Sequence, residues 1–132
     1  MNSFRIESTD DSPFINFDTL TNSFIISGES RPENASKFYT PIINWLNDYE
    51  NYLLENKDKM KPLTFVFKLD YFNSSSAKYI MDIMLFLKNF IEKGYKAEIE
   101  WHYDARDEDM MEAGKEFSSK FYSNIDMKIV KY

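Results

Sequence analysis

Leu63-Thr64-Phe65-Val66-Phe67-Lys68-Leu69-Asp70-Tyr71-Phe72, then Asn73-Ser74-Ser75-Ser76, then Ala77-Lys78-Tyr79-Ile80-Met81-Asp82-Ile83-Met84-Leu85 is the stretch that decides the fold. The first ten residues alternate. Phe65, Phe67, Leu69 and Tyr71 take one face; Thr64, Lys68 and Asp70 take the other, with Val66 as the exception. That period of two is a strand. After the serines the apolar residues change to a helical period, predicting a helix from about Ser76 to Lys93 closed by Gly94. It is apolar on most sides, as a largely buried helix is. The segment is therefore a strand, a tight polar turn and a helix.

Working outward, the same unit repeats. Residues 96–104 alternate strictly, with Ala97, Ile99, Trp101 and Tyr103 against Glu98, Glu100, His102 and Asp104. A helix over Asp107–Phe121 follows, with acidic residues in its first turn, and then a strand over Ile125–Tyr132. Upstream, residues 13–17 and 23–27 read as two strands joined by a hairpin loop. A helical period then runs to Asn56 through Phe38, Ile42, Trp45, Leu46, Tyr49, Tyr52 and Leu53, with Pro32 at its first position and Glu33 behind it. Phe4 and Ile6 suggest a short edge strand.

Strand-helix-strand units of this kind give parallel neighbours of one hand. Strands buried on both faces would be continuously apolar, whereas these alternate. The expectation is a two-layer α/β fold: a mixed, mostly parallel sheet of about five strands, three helices on one face, one domain over residues 1–132.

Composition narrows the function classes. Sixteen Lys and Arg stand against 22 Asp and Glu, a formal net charge of −6. No dense basic cluster exists to displace counterions from nucleic acid or to dock on anionic lipid. There is no cysteine and one histidine, His102, which excludes disulfides and leaves little for a histidine-based metal site or triad. His102 reads as a solvated strand residue. No apolar run is long enough to span a bilayer, and Met1-Asn2-Ser3-Phe4-Arg5 does not read as a signal peptide, so a cytoplasmic protein is expected.

Loops after parallel strands gather along one edge, where sites usually form. Three segments meet that description: Gly28–Asn34, Phe72–Ser76 and His102–Asp107. The serine run is the sharpest of them. Its plain reading is a helix cap, since Asn and Ser side chains accept from free backbone amides. Its functional reading is a phosphorylation site, because the added charge would meet free amides at the positive end of the helix. The carboxylates Glu29, Glu33, Asp104, Asp107, Glu108 and Asp109 permit a magnesium-assisted hydrolase, although acidic first turns of helices explain most of them.

Three motifs then carry a resemblance over nearly the whole chain. They are Gly28-Glu29-Ser30-Arg31-Pro32-Glu33-Asn34; Tyr71-Phe72-Asn73-Ser74-Ser75-Ser76-Ala77-Lys78 with Met81-Asp82-Ile83; and Trp101-His102-Tyr103-Asp104 with Asp107-Glu108-Asp109-Met110. Together they resemble the SiaC family of bacterial regulatory phosphoproteins, which is similar in fold to STAS-type anti-sigma factor antagonists. The resemblance implies a non-enzymatic, partner-switching regulator without a cofactor. A Ser/Thr kinase would phosphorylate the residue after Asn73, namely Ser74, with Ser75 as the alternative, and a PP2C-type phosphatase would remove the phosphate. The best-known branch of the family carries Thr at that position. The resemblance also implies a diguanylate cyclase as effector, in cyclic-di-GMP signalling and biofilm growth. Glu33, Asn34, Asn73, Ser76, Lys78, Asp82, Tyr103 and Asp104 would shape the partner-binding surface. The competing expectations are an unmodified scaffold and the small metal-dependent hydrolase.

Overall fold

The structure, a computed structural model, describes residues 1–122 and 125–132. Its elements in chain order are β1 (Phe4–Ile6), β2 (Phe14–Asp18), β3 (Ser23–Ser30), α1 (Ala35–Glu55), a single 3₁₀ turn at Lys57–Lys59, β4 (Leu63–Phe72), α2 (Ser74–Glu92), β5 (Ala97–Tyr103), α3 (Glu108–Phe121) and β6 (Met127–Lys131). The six strands form one sheet in chain order. β1, β2 and β3 are antiparallel neighbours, and β3 through β6 are parallel. The edge strand β1 makes the sheet six-stranded rather than five.

Sequential order means every crossover steps the same way across the sheet. Crossovers of one hand then place all their helices on one side. The packing agrees: Phe24 meets Trp45 and Tyr49 of α1, and Trp101 meets Phe117 of α3. Ile15, Phe17, Phe24, Ile26, Phe65, Phe67, Ile99 and Trp101 form the fully covered face. On the other face Asn16, Ile25, Val66 and Glu100 are only half-buried, as a two-layer fold requires.

Several boundaries differ from the sequence expectation for identifiable reasons. α1 begins at Ala35, because Asn34 Oδ1 accepts from the Lys37 amide at 3.0 Å. Pro32 and Glu33 therefore precede the helix. α2 begins at Ser74, because Asn73 Oδ1 takes the Ser76 amide at 2.9 Å. Tyr71 is 48% exposed and not on the covered face. The β3–β4 register slips between Gly28 and Glu29, so that Leu69 pairs with Gly28 but Tyr71 with Glu29. Such a bulge breaks the alternation by one residue. Gly28 accommodates it with φ of 98°, a conformation that side chains disfavour. His102 is only 22% exposed, with Nε2 2.8 Å from Glu100 Oε1, so it is a paired strand residue and not a solvated one.

Candidate functional site

The bulge, the caps and the parallel register converge on one place, the β4–α2 turn. Ser30, the last residue of β3, pairs with Phe72, the last of β4. The Asn73 amide donates to Ser30 O at 3.0 Å, which stitches the first expected segment to the second. Phe72 stacks edge-on against Trp101 and lies against Phe117, which brings in the third.

At the turn itself the three serines divide sharply. Ser74 and Ser75 are exposed, as the first two residues of α2. In a helix these positions have amides without an intrahelical acceptor. Asn73 satisfies only the third, that of Ser76. Ser76 is 0% exposed, and its Oγ accepts from Ser30 Oγ at 2.8 Å. It cannot present itself to another protein, which removes it from the expected partner surface. A phosphate on Ser74 or Ser75 would meet free amides and the positive end of a 19-residue helix.

Two clefts flank the turn. Between α1 and α2 lies an open cleft of about 1030 Å³, into which Glu33, Asn34, Lys37, Phe38, Ser75, Lys78 and Tyr79 project. It brings Glu33, Asn34 and Lys78 together with Ser75. On the far side, Asp70, Asp104, Arg106, Asp107, Glu108, Asp109 and Tyr132 line a second, acidic cleft. Asp104 belongs to this one. Its carboxylate receives the Arg106 backbone amide at 2.8 Å and both Nε and Nη2 of the same side chain at 3.0 and 2.8 Å. The Arg106 guanidinium thereby holds the Asp104 carboxyl down to about 2. Tyr103 is half-buried at the end of β5, and Asp82 is exposed two turns along α2; neither lines either cleft. Of the expected site residues, Glu33, Asn34 and Lys78 thus gather on one side of the turn and Asp104 stands alone on the other, rather than forming one ring around Ser74.

A metal-assisted reaction finds little support here. Glu29 pairs with Arg31 at 3.0 Å and Asp107 caps α3 by accepting from the Met110 amide. Among the described residues no three His, Asp or Glu side chains are grouped to hold a metal ion. No described helix is long and apolar enough to cross a membrane.

The family profile for SiaC family regulatory phosphoproteins matches residues 6–132. The chain belongs to the SiaC family. It is accordingly a regulatory protein and not an enzyme. It is 32% identical over 117 residues to an uncharacterized protein of Pseudomonas aeruginosa (strain UCBPP-PA14), covering 89% of this chain and 88% of that one. A chain in the crystal structure of the diguanylate cyclase SiaD in complex with its activator SiaC, from Pseudomonas aeruginosa, superposes with a TM-score of 0.84 at 29% identity, over 98% of this chain and 99% of that one. SiaC of Pseudomonas aeruginosa solved by itself gives 0.78 at 28%, over the whole of both chains. The six-stranded mixed sheet with three helices is thus a SiaC fold, and STAS-like describes it.

Sequence reasoning missed the hydroxyls beneath the turn. Tyr39 and Ser30 are both fully buried, and Tyr39 OH is hydrogen-bonded to Ser30 Oγ. Tyr39 was legible in principle: Tyr39, Ile42, Leu46, Tyr49 and Leu53 form one stripe at helical spacing, all buried.

Proposed function

We propose that this chain is a phosphorylation-switched activator that binds a diguanylate cyclase, with Ser74 as the phosphoacceptor. The observation that carries the reading is the exposed Ser74 at the first position of α2, capped by Asn73 and set between two clefts. The family's description as regulatory phosphoproteins supports modification. The superposition on a chain of the SiaD–SiaC complex supports the effector class.

In this reading a Ser/Thr kinase adds the phosphate and a PP2C-type phosphatase removes it. The unmodified form engages the cyclase and promotes cyclic-di-GMP synthesis, all in the cytoplasm, with no nucleic acid or membrane surface involved. A phosphoserine adds a charge of about −1.5 to −2 at pH 7. The free amides at the start of α2 and the ammonium of Lys78, one turn on from Ser74, offset that charge locally. The turn keeps its fold while the strip between the clefts changes sign, and a surface fitted to the neutral turn is lost. Glu33, Asn34, Asn73, Lys78, Asp82, Tyr103 and Asp104 shape that surface, and Ser75 is the alternative acceptor.

The test is intact-mass and peptide mass spectrometry after incubation with ATP and a candidate Ser/Thr kinase from the same genome. One phosphate on Ser74, lost in Ser74→Ala, supports the switch. So does cyclase activation by the unmodified protein that Ser74→Glu fails to give. An unmodified mass alongside an active kinase control would leave an unmodified scaffold and reduce the serine run to a helix cap.

A further inference from the structure

Three hydroxyls lie under the phosphoacceptor turn, each on a different element: Ser30 at the end of β3, Tyr39 in the second turn of α1, and Ser76 in the first turn of α2. All three residues are 0% exposed. Ser30 Oγ donates to Ser76 Oγ at 2.8 Å. With its single proton so used, Ser30 accepts from the Tyr39 hydroxyl. Ser30 also holds the turn by its backbone, through its carbonyl and the Asn73 amide.

A core this aromatic does not need hydroxyls to fill it. Burying one costs free energy unless it finds partners, and each of these does. Four described polar residues are buried, and the two of them at 0% exposure, Ser30 and Ser76, are both in this chain of bonds. Its outer end leads to the α1–α2 cleft. The Tyr39 ring stacks on that of Tyr79 at 5.4 Å with 3° between planes, and Tyr79 lines the cleft with Lys78 and Ser75.

We propose that the Ser30–Tyr39–Ser76 hydroxyl chain couples the modification state of the turn to the first turns of α1, and so to the α1–α2 cleft. Ser30 and Tyr39 are then positioning residues of the switch. A phosphate on Ser74 draws on the free amides of the first turn of α2, and Ser76 sits in that turn. A small rotation of the turn alters the Ser76–Ser30 bond, and the Tyr39 hydroxyl follows because its partners, Ser30 and Ser76, are the two ends of that bond. The bonds are directional and low in number, so the change passes to α1 rather than spreading through apolar packing. This inference rests on the proposed modification at Ser74.

The test installs phosphoserine at position 74 by genetic-code expansion and reads amide hydrogen exchange in the otherwise intact chain. In the wild type, phosphoserine should change exchange of the α1 amides at 38, 39, 40 and 42 by about fivefold, the equivalent of one net hydrogen bond; Pro41 between them has no amide hydrogen. In Tyr39→Phe, which keeps the ring and its stacking, the change should be confined to α2. Tyr39→Phe lowers the stability of the unmodified protein under any role, so the phosphorylation-dependent term alone discriminates. No response of α1 in the wild type, or an equal response in Tyr39→Phe, overturns the coupling. Because no kinase is used, either result is independent of whether Ser74 is the acceptor in cells.

Discussion

At one end of the sheet Tyr49 of α1 donates to Asn22 Oδ1 at 2.8 Å; at the other, ten residues earlier and about 15 Å away along the helix, Tyr39 meets Ser30. Both phenols are buried, and burial pushes both above the ordinary tyrosine range, so both remain neutral donors at physiological pH. Their partners differ in kind. Asn22 uses Nδ2 to hold two main-chain carbonyls, Lys61 O at 2.9 Å and Pro62 O at 3.1 Å, just before β4 begins. That end is a lock on backbone. The other end consists of hydroxyls, each able to rotate between donating and accepting, beneath a turn whose outer serines are exposed. One helix therefore fixes one end of the sheet rigidly and holds the serine-turn end through bonds that can be rearranged.

The largest effect should come from removing the lock. Asn22 lies at φ 57°, a region Ala adopts with strain. Asn22→Ala also strips the partner from a buried phenol and from two carbonyls. About 3 kcal/mol of stability should be lost in urea denaturation. Asn22→Gly, which relieves only the backbone strain, should recover about 1 kcal/mol of that. Equal losses in the two variants would show that the backbone conformation is not strained. The comparison would also fail if Asn22→Ala were milder than any change at the Ser30 end.

Gly114 tests whether the serine-turn end tolerates a shift in its supporting helix. A Cβ at this position would overlap the Trp101 indole, whose Nε1 donates to Met110 O at 2.9 Å. Gly114→Ala gains helix propensity but must push α3 away from β5, and a net loss of about 2 kcal/mol is expected from overpacking. The α3 amides should exchange faster, with those near Asn22 unchanged. If the loss spreads equally to the Asn22 end, the two ends are not separable.

The tyrosine pair sharpens the contrast directly. Tyr49→Phe leaves Asn22 Oδ1 without its donor and should cost about 1.5 kcal/mol. Tyr39→Phe leaves Ser30 still donating to Ser76, with no unmet donor, and should cost about 1 kcal/mol or less. Chemical denaturation of the two variants side by side decides it. A Tyr39 variant weaker than the Tyr49 variant would make the hydroxyl chain the structural anchor and Asn22 the accessory.

The two ends were also unequally legible. Strict alternation at 96–104 and in the first part of β4 is dictated by one covered face, and the strands follow it. The alternation misled at Tyr71, where the bulge opposite Gly28 is a property of paired strands and not of either sequence alone. Pro32 and Ser76, the last of the serine run, were the expected helix starts. The observed starts belong to Asn34 and Asn73, whose side chains reach an amide three residues on. Asn73-Ser74-Ser75-Ser76 marked the site, yet the split between exposed Ser74 and buried Ser76 depends on which side of α2 meets β3. Ser30, Tyr39 and Ser76 are hydrogen-bonded across separations of 9 and 46 residues, which no local pattern encodes. The three motifs that carried the family resemblance meet where β3, β4 and β5 end.

The smallest effect concerns two carboxylates, one at each end. Asp18, in the hairpin beside Asn22, is lowered chiefly by the Leu20 backbone amide, which donates to it at 2.9 Å. Asp104 is lowered to about 2, chiefly by the Arg106 side chain, which is 90% exposed. For both, the folded value lies below the unfolded one. Their stabilising contribution is therefore present above the ordinary carboxylate range, and for Asp104 it is lost as pH falls through about 2. The causes respond differently to salt. At about 1 M salt the screening length falls to about 3 Å, which weakens an exposed ion pair more than a carboxylate held by its own backbone. Side-chain carboxyl titration by NMR should show the Asp104 midpoint rising with salt, and rising again in Arg106→Ala, while Asp18 moves less. In Arg106→Ala the backbone amide at 106 still donates, so Asp104 should stop short of the ordinary range. Equal salt shifts at both residues would mean that the acidic cleft beside the turn is held by backbone, like the hairpin, and that its charge cannot be tuned independently of the fold.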